Sequence, residues 1–186
     1  MGADLYIVER LKQPDVVAAR EKWNRAIQHR DELLYMVDVD YRDITEAQEL
    51  VNNLYDANAM YPPDGYFRDS YNETSLFWVL GLSWWTDVGD LMDRRNPIVD
   101  EETGTRLNES LYESEEIEDH WDLDSEGIQE LRDMVAEKDI HVSDVRWDVL
   151  VGTKEEWIQS WQEKKSRFLE MCDNAIANNW HMSLSI

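Results

Sequence analysis

The stretch SLFWVLGLSWWTDVGDLM, residues 75–92, decides how the chain is read. Phe77, Leu80, Trp84, Val88 and Leu91 recur at steps of three and four, and Trp78 and Trp85 widen the same stripe. One face of a helix repeats at that period. The spacing predicts a single central core helix, with Gly81 inside the buried face where a close neighbour can pack. Its length and its polar end exclude a membrane span, which needs about 20 apolar residues.

Outward from this stretch the chain alternates between helical patterns and turns. Residues 4–9, DLYIVE, set Leu5 and Ile7 against Asp4 and Tyr6, a strand pattern. Pro14-Asp15 opens a helix that runs to about Met36, and a second helix spans about Ile44 to Met60, the two forming an antiparallel hairpin. The turn signal YPPDGY, residues 61–66, leads through FRDSYNET, read as a loop, into the aromatic helix. After it come a loop or small hairpin around Thr103-Gly104 over residues 94–107, an acid-rich stretch, and a helix from about Ser125 to Lys138. HVSDVRWDVLVG, residues 141–152, reads as one or two short strands. Thr153 with Glu156 forms a capping box that starts a last helix ending near Asn178-Asn179. The expected fold class is α+β: a single domain over residues 1–186, mainly helical, with a small β-sheet from residues 4–9 and 140–151.

Composition bounds the function. At 186 residues the length suits one domain, and 42% hydrophobic residues with nine Trp and eight Tyr can fill a core. Disordered acidic chains lack such aromatics. The formal net charge is −23, from 41 acidic and 18 basic residues. Direct nucleic-acid binding and anionic membrane surfaces are therefore excluded as partners, since both need Lys and Arg. A basic protein surface or a cation is the natural counterpart. Solubility alone, or adaptation to a salty proteome, is the plainer account of the same charge. The one cysteine, Cys172, allows no internal disulfide and reads as a packed core residue. The start of the chain lacks a basic-then-apolar leader pattern, so a cytoplasmic location is expected.

MGADLY at the start, GYFRDSYN at residues 65–72, and the Trp-Trp segment that follows carry a resemblance. The chain resembles a group of small acidic bacterial or phage-type proteins of unassigned function that share these segments. The resemblance implies no activity.

Three constellations could carry function. The first is ESLYESEEIEDHWDLDSEGIQE, residues 109–130, with ten carboxylates and no Lys or Arg. Residues 100–139 hold 16 acidic and 3 basic residues, over half of the chain's excess charge in about a fifth of its length. A solvated helix face would explain it, but like charges four residues apart repel, and few cations here relieve them. A concentrated field steers a basic partner. Glu113, Glu115, Glu116, Glu118 and Asp119, with Asp122, Asp124 and Glu126, are the candidate steering residues; Tyr112 and Trp121 are candidate anchors, since interface hot spots favour aromatics.

The second constellation is Asp122, Asp124, Glu126, Glu130 and Asp133, at the carboxylate positions of a calcium-binding loop with Gly127 at the sharp turn. The twelfth position is Asp133 where a bidentate Glu is usual, and no second loop exists. Asp124 as a helix N-cap explains the same residues structurally. The third is Tyr66, Arg68, Asp69 and Tyr71, polar groups on an expected loop beside an aromatic helix, where small molecules bind. There the structural alternative is an Arg68–Asp69 pair, with Asn72 or Thr74 capping the helix. No Gly-x-Ser-x-Gly, phosphate-cradling loop or His-Glu-x-x-His is present. The expected function is thus a non-catalytic acidic protein that occupies a basic protein surface, such as a nuclease or another nucleic-acid-handling enzyme, as a nucleic-acid mimic or an immunity protein does. The alternatives are a small-molecule domain or enzyme at Tyr66–Tyr71, and a calcium module. No cofactor is expected beyond that calcium.

Overall fold

The computed structural model describes residues 2–36, 39–95 and 122–185. The chain is mainly helical with a small four-stranded antiparallel sheet, the α+β class expected. It divides into two compact units: Met1–Val8 with Asp64–Ile186, and Glu9–Pro63.

In the larger unit the sheet has the order β2-β1-β4-β3, with β1 at Gly2–Ile7, β2 at Tyr66–Ser70, β3 at Asp122–Leu123 and β4 at Met182–Ser185. Asp4 lies opposite Arg68 and Ser185, and Leu5 opposite Phe67 and Leu184. Alternation therefore sorts the sheet into two faces. Ala3, Leu5, Ile7, Phe67, Leu123, Met182 and Leu184 are buried on one face. Asp4, Tyr6, Tyr66, Arg68, Ser183 and Ser185 share the other.

The sheet differs from the expected one. Residues 140–151 form no strand. Ser143-Asp144 turns the chain, His141 N–H donates to Val79 O at 2.7 Å, and a short 3₁₀ turn covers Trp147–Val149. Charged residues alternating with Val142, Val145 and Trp147 imitated a strand, but these apolar groups dock singly on the core. The strands that pair with β1 instead come from FRDS, expected to be loop, and from MSLS near residue 185.

The decisive aromatic stretch is also not one helix. Helix α5, Leu76–Val79, ends in a turn closed by Leu82 N–H to Phe77 O and Gly81 N–H to Trp78 O, with Gly81 at φ +67°. That is a Schellman stop, which needs a residue tolerant of the left-handed region. Nothing lies within 4 Å of a Cβ built on Gly81, so its role is conformational and not close packing. Ser83 restarts the helix by accepting from Trp85 and Thr86 N–H, while Asp87 accepts from Ser83 N–H at 2.7 Å. A π-helical turn over Trp84–Val88 continues into α6, Gly89–Arg95. The break lets Phe77 stack on Trp84 with ring centroids 3.8 Å apart. In a continuous helix, residues seven apart are separated by about 10.5 Å along the axis. All five stripe residues are buried nonetheless.

Helix α7, Ser125–Ala136, pairs with α8, Lys154–Ala177. Arg132 binds Asp173 at 2.8 Å, and Lys165 Nζ donates to Ala136 O and Lys138 O, a cation on the negative end of α7. The predicted capping box at Thr153 and Glu156 is formed. Phe168 of α8 meets Phe67 of the sheet and Phe77 of α5 edge-on, at 5.0 and 5.7 Å. Full burial of each such ring is worth about 1.5–3 kcal/mol. Asn179 at φ 52°, with Trp180 N–H bonded to Ala175 O, closes α8 and turns the chain into β4.

The smaller unit is a helical hairpin. After a short helix α1, Val8–Leu11, helix α2 spans Pro14–Tyr35; the second helix, expected to run unbroken to Met60, divides into α3, Tyr41–Leu54, and a short α4, Ala57–Met60, at a break where Asp56 caps Asn58 and Ala59 N–H. Trp23 meets Tyr55 and Arg30 meets Gln48, so the pairing is antiparallel, as expected.

Candidate functional site

The FRDS segment forms strand β2, so Arg68 and Asp69 point to opposite faces and do not pair. Asp69 is 1% exposed. Its two oxygens accept the Leu76 and Phe77 N–H groups at the start of α5, each at 3.0 Å, and Lys164 Nζ of α8 donates to it at 2.6 Å. A buried carboxylate is tolerable only with such partners. Asp69 therefore fixes the strand, α5 and α8 to one another. Asn72 accepts from Thr74 in the intervening turn, while Ser75 is the N-cap of α5, accepting from Trp78 N–H.

Arg68 instead belongs to the polar face of the sheet. Asp4 sits opposite it on β1, with Asp4 Oδ2 3.7 Å from Arg68 Nη1. Tyr66 donates its hydroxyl to Asp4 Oδ1 at 2.6 Å, and the Tyr66 ring lies 5.3 Å from that of Tyr6. Burial, reinforced by the hydrogen bond to Asp4, pushes the Tyr66 phenol up to about 12. The Tyr71 phenol is also raised, by burial and then by the charge on Asp4, while Arg68 opposes the shift. Its hydroxyl is buried and has no hydrogen-bond partner among the described residues. The Tyr71 ring lies 5.6 Å from that of Trp85, whose side is 65% exposed. The structure thus brings Tyr66 and Arg68 together at Asp4, sets Tyr71 against Trp85 and the core, and sends Asp69 away. Asp4 was not among the candidate residues. Its signal was the alternation of Asp4 and Tyr6 against Leu5 and Ile7, which marks a polar sheet face. The polar sheet face offers an exposed guanidinium, and Trp85 offers a flat exposed aromatic surface, groups suited to holding a small polar ligand.

The calcium-loop residues have other partners. Helix α7 begins at Ser125, so residues 125–133 are helical where an ion-binding loop stays irregular. Asp124 is the N-cap, accepting from Gly127 N–H at 2.8 Å. Glu126 pairs with Arg95 at 3.1 Å; Glu130 pairs with Arg95 and, at 3.3 Å, with Arg94. Asp133 accepts from Gln129 and Arg132. Among the described residues no group of three or more His, Cys, Asp or Glu side chains is placed to hold a metal ion. Gly127 has a packing reason: a Cβ there would stand 2.8 Å from Leu123 Cδ2.

Tyr112, Glu113, Glu115, Glu116, Glu118, Asp119 and Trp121 lie outside the described residues. The described chain stops at Arg95 and resumes at Asp122, and the arginines at the first end are bonded to α7 just beyond the second. Asp124 and Glu126 are exposed there, and Asp122 is half-buried. Cys172 is buried in the core, and burial raises its thiol far from a reactive range. Among the described residues no helix is long and apolar enough to cross a membrane. Comparison with protein-family models, with curated proteins and with solved structures returns no match to the chain.

Proposed function

We propose that the chain is a non-catalytic, cytoplasmic binding protein that engages a basic protein surface. The observation that carries this reading is the concentration of 16 acidic against 3 basic residues in residues 100–139 of a chain with net charge −23. At the described flank two cations offset part of this field, Glu126 included, and the other carboxylates carry it. Arg94 and Arg95, nearest the segment at its first end, are engaged with Glu126 and Glu130 of α7. The field then acts as a unit on an approaching cationic face, raising the encounter rate and weakening with salt.

The test is capture of partners from a native lysate at low salt. A variant in which Glu113, Glu115, Glu116 and Glu118 become Gln and Asp119 becomes Asn runs in parallel. A basic nucleic-acid-handling protein held by the native chain and lost by the variant is the expected result. Equal capture by both forms, or affinity indifferent to salt, overturns the reading.

A second reading rests on exposed Arg68 of the polar sheet face and on Tyr71, which lies beside exposed Trp85 and whose hydroxyl has no hydrogen-bond partner among the described residues. On this reading the polar sheet face holds a small polar molecule. Trp85 emission reports occupancy, and a ligand whose quenching is unaffected by Arg68→Ala and Tyr71→Phe rejects it.

A further inference from the structure

Eight of the eleven large apolar side chains that stand exposed among the described residues belong to the unit Glu9–Pro63. Four gather near the end of its hairpin: Leu34 at 54%, Tyr35 at 89%, Met36 at 61% and Tyr41 at 82% exposed. Along α2, Asn24, Ile27, Asp31 and Tyr35 fall at steps of three and four, and with Gln28, Glu32 and Met36 they line a shallow, open groove of about 690 Å³. This stripe is distinct from the one facing α3, which carries Trp23, Ala26 and Arg30. Residues 24–36 present it over about 18 Å of helix. Two helices alone leave such a face uncovered, and the exposed apolar groups gathered at its hairpin end form the kind of patch that marks an interaction site.

Charge selects the occupant. On the hairpin Arg30 is bonded to Asp31, and Arg42 pairs with Glu46. Arg25 and His29 also stand exposed on α2, against exposed Glu32, Asp40 and Asp43. A second copy of the chain would bring another charge of −23. We propose that the stripe through Ile27, Tyr35 and Met36 docks a basic amphipathic helix of another protein, apolar side inward and cations toward Glu32, Asp40 and Asp43. In helix-in-groove recognition the docked helix supplies its own apolar face, with anchors at i, i+3 or i+4, and i+7. The inference rests on the proposed function only for the sign of the partner's charge; its apolar half stands on the hairpin alone.

The probe is a dye-labelled synthetic helix of leucine and lysine about 18 residues long, five turns, followed by anisotropy. Oligolysine of equal charge is the control. Measurements are made at low salt and at about 1 M, where screening leaves a range of about 3 Å. The hairpin variant carries Leu34→Ser, Tyr35→Ser and Met36→Ser; Tyr35→Lys alone is the milder companion, at a fully solvated position. The expected result at high salt is tight binding to the native chain and to the charge-neutralised 113–119 variant. Both hairpin variants should lose about tenfold or more, as removal of an aromatic anchor does. Equal binding by the native chain and Tyr35→Lys overturns the inference. So does a native chain that sediments as a dimer and becomes monomeric in the hairpin variants, which would make a second copy the occupant. If the 113–119 variant keeps its partners while the hairpin variants lose the probe, the proposed function fails and the docking groove stands.

Discussion

Tyr66 and Gly127 show how much a single residue reports. The Tyr66 phenol is held protonated to about 12 because it is buried and donates to Asp4, against an ordinary value of 10.0. Its native form keeps a proton that the unfolded chain releases at a lower pH. The associated stability is whole below about pH 10 and falls as pH rises toward 12. An alkaline absorbance titration should show a late-ionising tyrosine component, to which Tyr71 also contributes, and Tyr66→Phe should remove the part of it near 12. Asp4→Asn should move it to lower pH. A titration that Tyr66→Phe leaves unchanged would contradict the geometry. Gly127 is a packing position: any Cβ meets Leu123 at 2.8 Å. Gly127→Ala should cost about 1–3 kcal/mol, the range of overpacking in a tight core, despite alanine's better helix propensity. Denaturant melting checks it; a more stable variant would mean that Leu123 yields freely.

At the scale of elements, Asp69 joins β2, the start of α5 and α8 through three hydrogen bonds from one buried carboxylate. Asp69→Ala leaves two helix amides and Lys164 without their acceptor, and should cost about 3–5 kcal/mol, as removal of one member of a buried pair does. Lys164→Met should cost less, because Asp69 keeps both amide donors and Lys164 is partly exposed. Chemical unfolding of the two variants ranks them, and the reverse order would place the stabilisation on the ion pair and not on the helix cap. The same residue marks what the sequence makes legible. Periodicity finds helices and which side chains are inside, so α2, α3, α7, α8 and the five buried residues of the aromatic stretch were readable. It does not find a helix that stops and restarts. Gly81-Leu-Ser83 with Asp87 encodes that stop and restart through φ and capping, signals weaker than the stripe running across them. Nor does it find an inward carboxylate in a strand. Asp69 alternates correctly with Phe67, but its burial depends on Lys164, 95 residues away in sequence. The Arg68–Asp69 pairing failed for that reason, and Asp4 emerged as Arg68's partner only through strand register.

For the whole molecule, the acid excess acts on folding and on binding with opposite signs. A charge of −23 repels itself in the compact state, and 16 of the acids lie within residues 100–139. Added salt screens that repulsion over a range that shrinks from about 10 Å at 0.1 M to about 3 Å at 1 M. The melting temperature should therefore rise with sodium chloride. The 113–119 variant, with part of the field removed, should melt higher at low salt and respond to salt with a flatter slope. Affinity for a basic partner should move the other way, falling as the same screening weakens attraction across the interface. The two salt responses, measured on one preparation, separate a steering surface from a merely solvated one. A solvated face already relaxed by counterions gives little change in melting and no partner to lose. A concentrated field gives stabilisation and release together, and neutralising residues 113–119 should diminish both. If melting rises with salt while partner affinity stays constant, the charge governs folding alone, and binding must rest on uncharged surfaces such as the hairpin groove.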